Sequence, residues 1–292
     1  MTIRLSVIGV GLIGGSIALA ARRSGCYESI VGYDANTENL QQAYDLGMID
    51  QASSTLAAAV DTANLVVIAT PVGAIRKILT HLQPLWNSHC VYTDVGSTKQ
   101  SVVNDAEEVF GAVPDNFVAG HPIAGTEKSG ANAAFAELFD HKHIILTPLP
   151  STKQRAIQIV RKFWEQAAHA IVSEMEPVQH DRILAATSHL PHVAAYALVN
   201  LLASQDESSQ IFQFAASGFR DFTRIASSDP RMWADICVAN RQQLVPLLEN
   251  YQSELGELIR LLDSGHHEQL FEHFSQARHA RQGFVDMHHA SK

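Results

Sequence analysis

Apolar residues in the first half of the chain come in short bursts. Residues 5–10, 30–34 and 65–70 are short, mainly apolar runs, rich in β-branched side chains and too short for helices. Such runs predict buried strands, and Pro71 ends the third. Residues 91–94, 117–119, 143–147 and 170–173 give further strand candidates. Between them, residues 12–24, 37–46, 54–61 and 153–168 carry helical spacing. Strands alternating with helices predict parallel β-α-β units in a mostly parallel sheet covered on both faces. After Pro177 the pattern changes: residues 178–204, 209–226, 230–262 and 266–283 all repeat with helical spacing, and no strand is predicted beyond Ser173. The chain is therefore expected to divide into an α/β domain, residues 1–173, and an all-α domain, residues 174–292. The helical half is apolar for its size, so a homodimer is expected.

Composition narrows the class. With 46% hydrophobic and 17% charged residues the chain can bury a large core, so disorder is excluded. Its net charge of −9, from 21 basic and 30 acidic residues, argues against nucleic acid, which needs a basic surface. Cys26, Cys90 and Cys237 are far apart and odd in number, so no disulfide framework is expected and a reducing cytoplasm is. The apolar stretch from Leu5 to Ala21 has some look of a leader peptide. Its glycines weaken a hydrophobic helix, and it reads better as the first strand and helix of the fold. No run is long enough to span a bilayer.

Gly9-Val10-Gly11-Leu12-Ile13-Gly14 fits G-x-G-x-x-G, a weak motif in isolation. Here it follows a predicted strand and opens a predicted helix, and Asp34 stands 20 residues past Gly14 at the end of the next strand. That context is the dinucleotide-binding fingerprint of a Rossmann-like domain. Gly9 would permit the tight turn, Gly11 the approach of a pyrophosphate, and Gly14 the close packing of helix on sheet. The backbone at Leu12 and Ile13 would offer N–H groups to phosphate. Asp34 would accept from the ribose hydroxyls and repel a 2′-phosphate, favouring NAD over NADP. Thr70 and Pro71, ending the next strand, complete the expected cofactor set.

Three more segments carry chemistry: Asp94-Val95-Gly96-Ser97-Thr98-Lys99, Gly120-His121-Pro122-Ile123-Ala124-Gly125-Thr126-Glu127, and Ser188-His189-Leu190-Pro191-His192. The first two follow strands, where ligands bind in open α/β sheets. Taken with GFRDFTRIASSDPRMW at 218–233, these motifs run in order over residues 3–240 and resemble the prephenate/arogenate dehydrogenase family. The resemblance implies a Rossmann-like domain followed by a helical dimerisation domain, and NAD-dependent oxidative decarboxylation of prephenate or arogenate on the way to tyrosine. It implies that Ser97 and His121 bond the ring hydroxyl, that Arg224 anchors a substrate carboxylate, and that His192 stands near the substrate. Thr126 and Glu127 match a loop beside the pocket. His180, His189 and Trp233 match pocket or supporting positions. Ser217 stands where some family members have glycine. No regulatory module is expected after the helical part, so any tyrosine inhibition is expected to act at the active site.

The chemistry suits those residue types. A neutral histidine can take the hydroxyl proton as hydride leaves, because its ordinary pKa is near working pH. A guanidinium can grip a carboxylate through two charge-assisted bonds, and a buried arginine would answer the problem of a dianion entering an acidic protein. No metal is required: HxxH at His189 and His192 lacks an acidic third ligand nearby. Lys99 and Lys128 read as surface charges. Asp229-Pro230 reads as a helix start, Pro191 as a kink or restart, and His266, His267, His273, His279, His288 and His289 as a solvated face and tail. Two other functions compete: a β-hydroxyacid or 6-phosphogluconate-type dehydrogenase, which would use a lysine near the reacting carbon, and a non-catalytic NAD-binding sensor.

Overall fold

The computed structural model describes residues 3–289. Its strands and helices alternate as β1 (Ile3–Ile8), α1 (Leu12–Ser24), β2 (Tyr27–Tyr33), α2 (Thr37–Asp45), β3 (Gln51–Ala52), α3 (Leu56–Val60), β4 (Leu65–Ile68), α4 (Ile75–Leu82), β5 (Val91–Asp94), α5 (Gln100–Phe110) and β6 (Phe117–Val118). The six strands form one parallel sheet in the order β3-β2-β1-β4-β5-β6. The order reverses between β1 and β4, so the cleft beyond their carboxyl ends is the switch point where ligands bind in such sheets.

Alternation along each strand explains why both faces are covered. Leu5, Val7, Leu65 and Val67 point into one core with Ile17, Ala18 and Ala21 of α1. Ile8, Val66 and Ile68 point into the other, with Ile75 and Leu79 of α4 and Val102 of α5. Strands buried on both faces lose the polar half of the usual two-residue pattern, which is why they appear in the sequence as continuous apolar runs.

A second, three-stranded sheet follows: β7 (Gly120–Pro122), β8 (His143–Leu146) and β9 (Ile171–Glu174), with β7 antiparallel and β9 parallel to β8. The sequence pattern predicts neither β7 nor its separation from β6, since Ala119 links the two without a turn residue. It also leaves out α4 and α5. Helix α6 (Gln154–Lys162) runs on through a wider π turn at Phe163–Ala167.

The helical part contains α7 (Pro177–Leu184), α8 (Leu190–Ala203), α9 (Ser208–Gln213), α10 (Ser217–Thr223), α11 (Pro230–Ala239), α12 (Arg241–Asp263) and α13 (His267–His289). The stretch expected as one helix over 178–204 is divided by a π segment, Ala185–His189, and restarts with Pro191 in its first turn. The stretch over 230–262 is divided at Asn240. Asp229 caps α11, its side chain accepting from the Met232 N–H at 2.8 Å.

The chain forms two compact units, Met1–Leu244 and Val245–Lys292. In the second, His273 Nε2 lies 2.9 Å from Glu254 Oε1 and His273 is half-buried, while His266, His267 and His279 are exposed. The side chains of His288 and His289 lie outside the described residues. Among the described residues no helix is long and apolar enough to cross a membrane.

Candidate active site

The glycine loop has the shape a dinucleotide needs. Gly9 adopts φ +91°, and a Cβ there would stand 2.6 Å from the Ala69 carbonyl oxygen. A Cβ on Gly14 would stand 1.8 Å from the Gly9 carbonyl oxygen, so α1 crosses the loop at a distance only glycine permits. Gly11 faces open space and stands at the N-cap of α1, and among the described residues no side-chain cap bonds the first N–H groups. Asp34 accepts from the Val10 N–H at 2.9 Å and the Asn36 N–H at 2.8 Å, which places its carboxylate beside the loop. The Thr70 hydroxyl, just past β4, is buried with no hydrogen-bond partner among the described residues. An open helix end, a carboxylate beside it and an unpartnered buried hydroxyl are the donor and acceptor set a dinucleotide would use.

Past β5, the turn bearing Ser97 is clipped to β7. Asp94 Oδ2 accepts from the Gly96 N–H at 2.7 Å, and Asp94 Oδ1 from the Gly120 N–H at 3.1 Å. The Lys99 ammonium ion-pairs with Asp94 and donates to the Gly120 carbonyl at 2.5 Å. Lys99 is fully buried. The expectation of a surface charge is corrected: a strand-end carboxylate and a carbonyl satisfy the ammonium, so it can leave water. Lys128 is exposed. Ser97, part-buried on this turn, and His121, the residue after Gly120, are thus presented by segments locked together.

His121 is the outer member of a relay. Its Nδ1 lies 2.9 Å from His180 Nε2, and His180 Nδ1 lies 2.8 Å from Asp181 Oδ1. Asp181 also accepts from the Lys99 N–H at 2.7 Å and the Gln100 N–H at 2.9 Å, which open α5. A carboxylate only accepts, so His180 Nδ1 carries the proton and donates to Asp181. Neutral His180 then accepts at Nε2, so His121 Nδ1 must carry a proton and donate. That leaves a lone pair on His121 Nε2. Burial holds the His121 pKa well below its usual 6.5; a proton placed on both His121 and the adjoining His180 would repel, and the Lys99 ammonium pushes the same way. Burial lowers His180 too, against the opposing pull of Asp181.

The other sequence-predicted residues continue outward. Buried His189 accepts at Nδ1 from the Asn240 amide at 3.1 Å, and that amide also donates to the Asp181 carbonyl at 2.8 Å. Burial brings His189 to about 4. His192 donates from Nδ1 to the Ser188 carbonyl at 2.9 Å and stacks on Trp233, ring centroids 3.5 Å apart. Its pKa is lowered by burial and by the nearby Arg224 charge. Trp233 is buried and its indole N–H has no hydrogen-bond partner among the described residues. Arg224 sits beyond His192 with its side chain 63% exposed, 3.6 Å from Glu127. The expected burial of this guanidinium is corrected: α10 ends in a short 3-10 turn at Arg224–Ser227 that leaves it facing solvent, with one carboxylate beside it. Thr126 and Glu127 lie on an exposed loop. Ser217 opens α10.

Sequence reasoning gave no role to Asp94, Asp181 or Asn240, and read Lys99 as a surface charge. Each has a polar type rarely buried, yet burial is invisible in a sequence; only the His-Asp dipeptide at 180–181 hinted at a pair. Among the described residues no group of three or more His, Cys, Asp or Glu is set to hold a metal.

Comparison with known proteins matches two adjoining family models. The prephenate dehydrogenase nucleotide-binding domain matches residues 17–173, and the prephenate dehydrogenase dimerisation domain matches residues 176–276. A cyclohexadienyl dehydrogenase of Zymomonas mobilis subsp. mobilis is 34% identical over 95% of this chain and 94% of its own. A prephenate dehydrogenase of Bacillus subtilis is 38% identical over 94% of this chain and 74% of its own. The crystal structure of prephenate dehydrogenase from Aquifex aeolicus, in complex with hydroxyphenyl propionate and NAD+, superposes with a TM-score of 0.89. It is 36% identical and covers 97% of this chain and 99% of that one. The chain belongs to the prephenate dehydrogenase family, with a nucleotide-binding domain followed by a dimerisation domain.

Proposed function

We propose that this NAD-dependent oxidoreductase oxidises prephenate to 4-hydroxyphenylpyruvate, with His121 as the base that takes the ring hydroxyl proton. The observation that carries the reading is the tautomer chain from Asp181 through His180, which leaves the His121 Nε2 lone pair available. The lowered pKa keeps that nitrogen unprotonated at neutral pH, as proton abstraction requires. Bound NAD supplies the hydride acceptor. Ser97 orients the hydroxyl from the turn clipped to β7. As the hydroxyl proton passes to His121 and the carbon loses hydride, the ring carboxylate departs as carbon dioxide and the ring becomes aromatic.

Arg224 receives a substrate carboxylate, with Thr126 and Glu127 on the loop beside it and His192, stacked on Trp233, forming the adjoining wall. Glu127, 3.6 Å from the guanidinium, is a loose, solvent-exposed partner that a substrate carboxylate can replace. The cofactor rests on Gly9 to Gly14, Asp34, Thr70 and Pro71, and the Asp34 charge selects NAD over NADP. A lysine base of the β-hydroxyacid dehydrogenase kind is disfavoured because Lys99 is fully buried and held by Asp94.

The helical half pairs two copies. Leu201 of α8 is 58% exposed and Val238 of α11 is 62% exposed, apolar area that a second copy would cover. Light scattering is expected to give twice 31.9 kDa. A cytoplasmic location and tyrosine inhibition competitive with substrate complete the reading. The direct test is NADH formation at 340 nm with NAD and prephenate, then arogenate. Turnover of prephenate is expected; turnover of arogenate alone would assign the chain to that substrate, and turnover of neither would end the proposal.

A further inference from the structure

We propose that Asn39 couples the cofactor site to the substrate loop, as a positioning residue that makes each ligand strengthen the other's binding. The Asn39 carboxamide uses both ends. Its Nδ2 donates to Asp34 Oδ2 at 2.9 Å, and its Oδ1 accepts from the Ala131 N–H at 2.8 Å. The orientation is unambiguous, because a carboxylate only accepts and a backbone N–H only donates. One side chain therefore bridges the acid beside the glycine loop and the far end of the segment that begins with Thr126 and Glu127.

The anchoring continues on either side of that bridge. Gly130, which turns the chain into Ala131 at φ +85°, packs with its Cβ position 3.8 Å from Asn39 Oδ1. Beyond it, the Asn132 amide donates to Gln42 Oε1 at 3.3 Å and the Phe135 N–H donates to the Ser16 hydroxyl at 3.1 Å. Residues 130–135 are thus fastened to α1 and α2, the helices that follow the glycine loop and Asp34. Residues 125–129 are exposed, and Glu127 among them pairs with Arg224. The loop has a substrate end and a cofactor end.

The inference rests on the reading of Asp34 as the ribose acceptor. Asp34 Oδ2 already serves both the Val10 N–H and Asn39. A ribose diol donating to this carboxylate restricts its orientation, which restricts the Asn39 carboxamide and with it the base of the loop. Ordering paid for by the first ligand is then not charged to the second, and the effect is reciprocal.

The test is calorimetric titration of the intact protein with 4-hydroxyphenylpyruvate, with and without saturating NAD+. In the wild type NAD+ is expected to tighten this ligand by about 5-fold or more. In Asn39→Ala the ratio is expected to fall to within about twofold of one, with a cooperative melt retained. Asn39→Asp keeps an acceptor for Ala131 but sets a second carboxylate against Asp34. It is expected to weaken NAD+ and abolish the coupling while binding 4-hydroxyphenylpyruvate alone as the wild type does. A wild-type ratio of one, or an undiminished ratio in both variants, would overturn the coupling. NAD+ affinity unchanged in Asp34→Ala would instead overturn the ribose reading beneath it.

Discussion

His121 Nδ1 lies 2.9 Å from His180 Nε2, and this contact fixes which nitrogen of His121 is free to act. Asp181 sets it from behind by accepting from His180 Nδ1 and from two N–H groups at the start of α5. The carboxylate does not touch the substrate, yet the protonation pattern of the outer histidine follows from it.

Asp181→Asn weakens that pattern. An amide keeps one acceptor oxygen where three donors converge, so its NH2 is set against either the Lys99 or the Gln100 N–H. The neutral oxygen also no longer stabilises the positive charge that builds on the relay as His121 takes the proton. Turnover is expected to fall on the order of 10²- to 10⁴-fold, with the KM for NAD little changed. Steady-state kinetics check this, and a wild-type kcat would dissociate the relay from the reaction.

Arg224 makes a different kind of contribution. It is solvent-facing, so its removal leaves no orphaned buried charge and the fold should hold. A charge-assisted bond to substrate is worth about 1.5–3 kcal/mol, so Arg224→Ala is expected to raise the KM for prephenate by roughly 10- to 150-fold with kcat far less affected. An unaltered KM removes the guanidinium from the site.

Acid should unfold the protein through its buried histidines. His189 has a folded pKa of about 4 against an ordinary 6.5, and His121, His180 and His192 are also lowered. The unfolded chain therefore binds more protons than the folded one below 6.5. Stability from these groups is fully present above that pH and is lost as pH falls towards 4. Each group contributes a slope of at most about 1.4 kcal/mol per pH unit within its own window. Urea midpoints at pH 7, 6 and 5 are expected to decline, and His189→Gln should flatten the decline. Midpoints independent of pH across this range would show that the histidines are not held neutral by the fold.

The sequence made the doubly covered sheet legible because buried parallel strands leave continuous apolar runs, and residues 65–68 could hardly be anything else. Gly9 to Gly14 and Asp34 were legible because a close backbone approach admits so few residue types. His121 and Ser97 stood out through the motifs around them. The relay behind His121 did not, because Asp181, Lys99 and Asn240 look like surface residues until the fold removes their water. Arg224 misled in the opposite direction: its chemistry suggested burial, but the short turn that carries it faces outwards. The second sheet was hidden for a simpler reason, since β6 and β7 are separated by one alanine.

The most direct measurement is the rate of NADH formation from prephenate by His121→Asn, beside its affinity for NAD+. An asparagine fills much of the space of the imidazole but cannot take a proton at neutral pH. The expected result is a kcat lower by about 10²- to 10⁴-fold with NAD+ bound as tightly as by the wild type. A kcat within twofold of wild type would contradict the assignment of His121 as the base.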